Sequence, residues 1–203
     1  MSGGPRTLVV GDVHGCASEL SDLIERASAT RVVLVGDLFT KGPDPLGVWE
    51  LIEAHAAEAV LGNHDVVVLK AREGRPWSVL PREAFRWLKR RPLVLGEDGW
   101  TVVHAGLHPT AGVLGTTRKM ALNMRRWPMG GRGEGSSRSF WWERYDGPGL
   151  VVYGHDARRG LVDRRPVTLG LDTGCVYGGA LTGYLVEADE LVQVSARRVY
   201  RPV

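Results

Sequence analysis

Three short aliphatic runs, Thr7 to Val10, Arg31 to Val35 and Ala59 to Leu61, each break off into a glycine followed by a ligand-type side chain: Gly11-Asp12, Gly36-Asp37 and Gly62-Asn63. Asp12, Asp37 and Asn63 are spaced by 25 and 26 residues, about the length of one strand, one helix and their loops. That spacing restricts the first third of the chain to successive βα units, whose parallel strands deliver their carboxyl ends to one sheet edge. In open α/β sheets ligands sit just outside that edge. Within Gly11-Asp12-Val13-His14-Gly15, Asp12 and His14 are two residues apart, so on an extended segment their side chains point the same way and can converge on one ion. Read alone, these five residues equally suit a tight turn that uses Gly and Asp for backbone reasons. The recurrence of the pattern favours a site.

Between these runs, Leu20, Leu23, Ile24 and Ala27 follow helical spacing, predicting a helix over Ala17 to Ser28 with Ser18 as its cap. The Gly/Pro-rich turn Leu38 to Pro45 leads into a second helix from about Leu46 to His55, and His55 receives no role. A third helix is expected from near His64, carrying Val67, Val68 and Ala71, and a fourth from Pro81 through Leu88. Leu93 to Gly96 and Trp100 to Val103 flank Glu97-Asp98-Gly99 as a hairpin, and the second strand runs into His104-Ala105-Gly106. Leu150 to Tyr153 ends in Gly154-His155-Asp156, and Val167 to Leu171 ends in Asp172-Thr173-Gly174. Leu181 to Val186 pairs with Leu191 to Ser195. The expected whole is α/β: one domain over residues 1–203, a sandwich of two mixed β-sheets flanked by helices.

Periodicity fails from Pro109 to about Arg138, most of all in Gly130 to Ser137. Arg118 to Arg144 holds seven bases against Glu134 and Glu143, so the stretch 109–144 is read as a basic, lid-like segment for an anion. Its glycines follow no strand, which excludes a dinucleotide fingerprint. The formal net charge of +3 is too small for a dedicated nucleic-acid binder, although only four of the 26 bases are Lys and arginine favours phosphate. No apolar run approaches the ~18 residues of a membrane span. Met1 to Arg6 contains no hydrophobic signal region, so a cytoplasmic protein is expected. Cys16 and Cys175 form no CxxC pair of the kind that marks structural zinc or a redox motif, and are read as reduced, partly buried thiols.

Four of the six histidines, His14, His64, His104 and His155, stand at strand ends beside Asp12, Asp37 and Asn63. A set of carboxylate, amide and imidazole without thiolate suits manganese, iron, cobalt or zinc more than a structural zinc. GDVHG, GDLFTKGPD, LGNHD, HAG and YGHD, in this order, resemble the motifs of calcineurin-like metallophosphoesterases of the phosphoprotein phosphatase type. The resemblance runs from Val9 to about Val186. Through GDVHGC, ALNMRRW and LDTGCVYGG the sequence looks most like the bacterial symmetrical diadenosine tetraphosphatases and their relatives.

The resemblance implies a metallophosphoesterase-type sandwich with two divalent ions, manganese first and iron, cobalt or zinc as alternatives. Asp12, His14 and Asp37 would hold one ion, and Asp37, Asn63, His104 and His155 the other, with Asp37 bridging. Such ions lie ~3.5–4 Å apart and share a hydroxide that attacks phosphorus, while His64 would protonate the departing oxygen as general acid. The family pattern GDxVDRG is broken here: Thr40 stands where an Asp orients the catalytic histidine and Lys41 where an Arg clamps phosphate. Arg125 or Arg126, with Arg126 preferred, would supply a second clamp. Tyr177 and Asp172 fall in a loop that closes over the site in such families, and His108 follows HAG. Trp127, Trp141 and Trp142 could stack on a nucleobase or equally be core. The implied substrates are dinucleoside polyphosphates such as diadenosine tetraphosphate, cleaved to ADP, and by extension nucleotide-capped RNA ends. A serine/threonine or broad-specificity phosphoprotein phosphatase is the enzymatic alternative, and an inactive phosphate- or nucleic-acid-binding module the non-enzymatic one. No membrane partner is implied.

Overall fold

The computed structural model describes residues 4–70, 75–129 and 138–202. The expected βα units open the chain. Strands β1 (Thr7–Val10), β2 (Arg31–Leu34) and β3 (Glu58–Ala59) are parallel neighbours, joined through helices α1 (Ala17–Ala27) and α2 (Pro45–Ala54). Helix α1 buries Leu20, Leu23 and Ile24, each contributing roughly 1.5–3 kcal/mol of burial. Its N-cap position is Cys16, without a side-chain cap bond, because Ser18 already lies inside the first turn. Asp44 caps α2 by accepting from the Gly47 amide at 2.7 Å. Helix α3 (Asn63–Lys70) buries Val68 but leaves Val67 45% exposed, and Ala71 lies outside the described residues. Helix α4 (Arg82–Lys89) starts after Pro81 as expected.

Strands β4 (Val94–Glu97) and β5 (Trp100–Val103) form the expected hairpin, with Gly99 at φ +85° in its turn. The supposedly irregular segment 109–144 then proves partly regular. It holds α5 (Gly112–Gly115), α6 (Arg118–Asn123), and a two-stranded ribbon of β6 (Arg126–Trp127) and β7 (Ser139–Phe140). Its loosest part, Gly130 to Ser137, lies outside the described residues. Helix α6 forms because Thr117 caps it and because Ala121 and Leu122 are buried, contributions a charge-rich stretch conceals. Strands β8 (Leu150–Tyr153), β9 (Val162–Arg164), β10 (Thr168–Gly170), β11 (Ala180–Leu185) and β12 (Glu190–Ser195) complete the fold. Strand β9, polar and on an edge, has no hydrophobic signature and was not expected.

Two five-stranded mixed sheets result, ordered β12-β11-β1-β2-β3 and β4-β5-β8-β10-β9. Alternation along the strands splits the core. Val9, Val33, Val35 and Val60 face Val102, Val152, Leu169 and Leu171 between the sheets, while Leu8, Val10, Val32 and Leu34 face the helices. A third cluster, around Leu107, Met124, Trp141 and Tyr153, covers the outer face of the second sheet. No helix among the described residues is long and apolar enough to cross a membrane. The carboxyl ends of β1, β2 and β3 meet those of β5, β8 and β10 at one rim, where the expected ligand residues gather.

Candidate active site

Each expected metal-binding residue leaves a strand end. Asp12 and His14 follow β1, Asp37 follows β2, Asn63 opens α3 after β3, His104 follows β5 and His155 follows β8. The backbone at His14, Asp37, Lys41 and His155 is left-handed, with φ of +47°, +56°, +70° and +75°. L-residues pay roughly 1–2 kcal/mol for that conformation, so these turns sacrifice backbone comfort to aim functional side chains. Gly154 is needed for close approach: a Cβ there would lie 1.9 Å from Asp12 Oδ1.

Asp12, His14 and Asp37 place ligand atoms within 4.8 Å of one another, all buried. The His14 ring lies against the Thr40 hydroxyl through Nδ1 (3.0 Å) and the Lys41 ammonium through Nε2 (2.9 Å), with Asp37 Oδ2 3.7 Å from Nε2. Thr40 therefore serves His14, not His64. On the other side His104 Nδ1–H donates to the Val35 carbonyl at 3.0 Å, turning Nε2 toward Asn63 Oδ1 at 2.9 Å and Asp37 Oδ1 at 3.5 Å. With Nδ1 carrying the proton, Nε2 and two oxygens present lone pairs to one another, an arrangement that a shared cation relieves. His155 Nδ1 reaches the same Asn63 oxygen at 2.9 Å, while its buried Nε2 has no partner among the described residues. The donor set thus fits metal ions in number, type and direction.

Electrostatics agree. Burial raises Asp12, with Asp172 and Asp37 adding repulsion, and burial takes Asp37 and Asp172 up to about 7. Burial, then the charge of Lys41, lowers His14 and brings His64 down to about 4. Burial brings His104 to about 4 and His155 to about 2. Neutral imidazoles among carboxylates that repel one another form a site poised for cations.

The expected ligands other than His104, which lies just beneath the surface, line a cleft of about 1280 Å³. Lys41, Arg125 and Arg126 line it too, together with Arg75, Arg158, Arg159 and Arg201, none of which the sequence singled out. Arg125 sits nearer the ligands than the preferred Arg126: its guanidinium donates to the His155 carbonyl and pairs with Asp156 at 3.3 Å. Arg126 instead lies 4.2 Å over the Phe140 ring and donates to the Arg138 carbonyl. Tyr177 is in the cleft wall, its ring 5.4 Å below the Lys41 ammonium. His64 also faces the cleft, its amide bonded to Asp37 Oδ1 at 2.8 Å, and among the described residues its ring makes no hydrogen bond. His108 is excluded, because it packs on Trp127 and accepts from the Ala111 amide. Trp141 is 1% exposed in the core and cannot stack on a ligand, whereas half-buried Trp142 stacks on Phe140.

Asp65 was missed. It is fully buried and accepts from the amides of Asp37 (2.8 Å), Leu38 (2.9 Å) and Gly62 (2.9 Å), fixing the loop that carries Asp37. A second buried group able to hold a metal, Cys16, Glu19 and Cys175, lies behind the cleft wall.

The model of the calcineurin-like phosphoesterase family matches residues 5–166. The symmetrical bis(5'-nucleosyl)-tetraphosphatase of Ralstonia nicotianae is 28% identical over 96% of this chain and 95% of its own length. That of Methylobacillus flagellatus is 27% identical over 93% and 94%. The alignment with the Ralstonia protein spans 274 positions against 203 residues here, so that relative carries insertions this chain lacks. A crystal structure of a candidate diadenosine tetraphosphatase superposes with a TM-score of 0.85 at 33% identity, covering 95% of this chain and 94% of the other.

Proposed function

Because the chain belongs to the calcineurin-like phosphoesterase family and is a metal-dependent phosphoesterase, we propose that its substrates are dinucleoside polyphosphates such as diadenosine tetraphosphate, cleaved to ADP. The observation that carries this reading is the cationic wall of the cleft. Lys41 and Arg125 border the ligand cluster, and Arg126, Arg158 and Arg159 continue the positive lining beyond it. A polyphosphate chain offers a charge to each of several such groups, whereas a phosphoserine offers one dianion. The tetraphosphatase relatives point the same way.

Asp12, His14 and Asp37 would hold one ion and Asp37, Asn63, His104 and His155 a second, with Asp37 common to both; manganese suits this oxygen and nitrogen set first. When bound, such a pair supplies Lewis acidity at the phosphoryl oxygens and acidifies the attacking water. The chain's own groups do the rest. Thr40 and the Val35 carbonyl fix the ring orientations of His14 and His104, and Asp65 fixes the backbone of Asp37. Lys41 and Arg125 neutralise the phosphoryl group, and Tyr177 supports Lys41 from below. His64 donates the proton to the leaving oxygen. Since burial and Lys41 hold it near 4, little of it carries that proton at neutral pH, and the site favours leaving groups such as a nucleoside diphosphate that need little protonation.

The test compares kcat/KM for diadenosine tetraphosphate with that for a phosphothreonine peptide at one pH and one manganese concentration. The dinucleotide is expected to win by at least tenfold, and Arg125→Ala with Arg126→Ala to remove most of that advantage. A preference for the peptide, or no change in the double variant, would overturn the assignment.

A further inference from the structure

Cys16, Glu19 and Cys175 come from two distant parts of the sequence. Cys16 occupies the N-cap position of α1, Glu19 stands in the first turn of that helix, and Cys175 opens a 3-10 turn after β10. Their ligand atoms nonetheless lie within 4.8 Å of one another, and the residues are 0%, 0% and 2% exposed. Both thiols are free and buried. One carboxylate oxygen of Glu19 is satisfied, accepting from the Arg197 amide at 2.9 Å and the Tyr200 hydroxyl at 2.6 Å. The other, Oε2, is buried without a partner among the described residues.

A wholly buried carboxyl group with one orphaned oxygen beside two thiols is costly as it stands, since the oxygen gives up its hydration with no protein donor in exchange. The usual escape, an Arg or Lys partner, is not taken: the groups that bond Glu19 are an amide and a phenol. We infer that Cys16, Glu19 and Cys175 form a metal site separate from the cleft, taking a thiophilic divalent ion of the zinc class. Two thiolates and a carboxylate are the donor types such ions prefer, and at Zn–S of about 2.3 Å and Zn–O of about 2.1 Å donors this close can share one ion. The Tyr200 hydroxyl, held on Glu19, is the candidate fourth donor. The N-terminus of α1 adds a favourable field for the anionic donors. None of the three residues lines the cleft. The ion would act as a brace, tying the turn that bears Asp12 and His14 to the loop that bears Asp172 and Tyr177, and both to the C-terminal segment at Arg197 and Tyr200. The inference does not depend on which phosphoester the cleft hydrolyses.

Sulfur makes the site separable from the cleft, whose expected ligands contain none. Chelator-stripped full-length protein is titrated with cobalt(II), and the near-ultraviolet thiolate-to-cobalt charge-transfer band is followed. The wild type is expected to develop the band with the intensity of one thiolate-bound ion per chain, whatever cobalt the sulfur-free cleft takes up besides, and added zinc to bleach it. Cys175→Ser and Cys16→Ser should abolish it, and Glu19→Gln should keep it while weakening cobalt binding at least tenfold. Far-ultraviolet circular dichroism is recorded alongside each titration. A folded wild-type protein that takes up cobalt without a thiolate band, or a band that survives both cysteine variants, would overturn the site. So would a wild-type protein whose two thiols prove to be joined as a disulfide. Because the wild-type titration alone can refute the inference, a variant that fails to fold does not protect it.

Discussion

Asp65 sits one layer behind the ligand cluster, with both carboxylate oxygens taken by the amides of Asp37, Leu38 and Gly62. Replacing it with Ala strands three buried N–H groups at about 1–3 kcal/mol each. Asp65→Ala is therefore expected to lower unfolding free energy by on the order of 3 kcal/mol or more in urea denaturation, and to weaken manganese binding, because Asp37 loses its backbone anchor. Wild-type stability would contradict that role. His64 gives a contrasting prediction, since no hydrogen bond from a described residue holds its ring. His64→Asn should leave stability nearly unchanged and cost kcat in proportion to the leaving group's need for a proton, most on alkyl phosphates and least on aryl ones. Equal losses across a leaving-group series would remove its acid role. At this scale the gathering of Asp12, Asp37, Asn63 and the four histidines at strand ends was legible from residue type and spacing, whereas the work of Asp65 was not. Its partners lie up to 28 residues earlier in the chain, and a carboxylate at a helix start looks the same whether it faces water or another loop.

Between β2 and β3, the elements touch through glycine. Gly36 is at φ +98°, and a Cβ on it would meet the Gly62 amide nitrogen at 2.6 Å; a Cβ on Gly62 would lie 2.2 Å from Asp37 Oδ1 and 2.3 Å from the Asp37 amide nitrogen. Gly62→Ala must therefore push the two strand ends apart at the residue common to both expected ions. The expected outcome is at least a hundredfold loss of kcat/KM with a destabilisation of about 1–3 kcal/mol, the range of an overpacked core. Activity near wild type would show that the loops yield without moving Asp37. The segment after β5 carries the opposite lesson. Its seven bases and scattered glycines suggest a lid, yet the segment around α6 and the β6–β7 ribbon packs through Ala121, Met124 and Trp141. Three apolar anchors at irregular intervals produce no periodicity, so the order comes from the second sheet they cover and not from local preference.

Across the whole molecule, two sheets deliver buried carboxylates and imidazoles to one rim, and the consequence is a pH-dependent demand for cations. Asp37 and Asp172 are held near 7 and Asp12 is also raised, so below neutrality the ion-free cleft retains protons that a cation must displace. Manganese affinity should be flat with respect to Asp37 and Asp172 above about pH 7 and fall about tenfold per pH unit per displaced proton below it. His104 at about 4 and His155 at about 2 stay neutral throughout and add no slope. Calorimetric titration in buffers of different ionisation enthalpy should count at least one proton released near pH 6 and fewer near pH 8. Identical affinity and proton release at both would contradict the raised carboxyls. The βα units, the hairpin and the Asp, Asn and His residues that gather at the strand ends are readable from the sequence, because strand period and glycine punctuation are local properties. That Thr40 serves His14, that Arg125 lies closer to the expected ligands than Arg126, that Trp141 is core, and that Cys16, Glu19 and Cys175 meet follows from the three-dimensional packing. Each of those depends on which side chain lies opposite another after two sheets close on a shared core, and that pairing is set by packing between segments far apart in the chain.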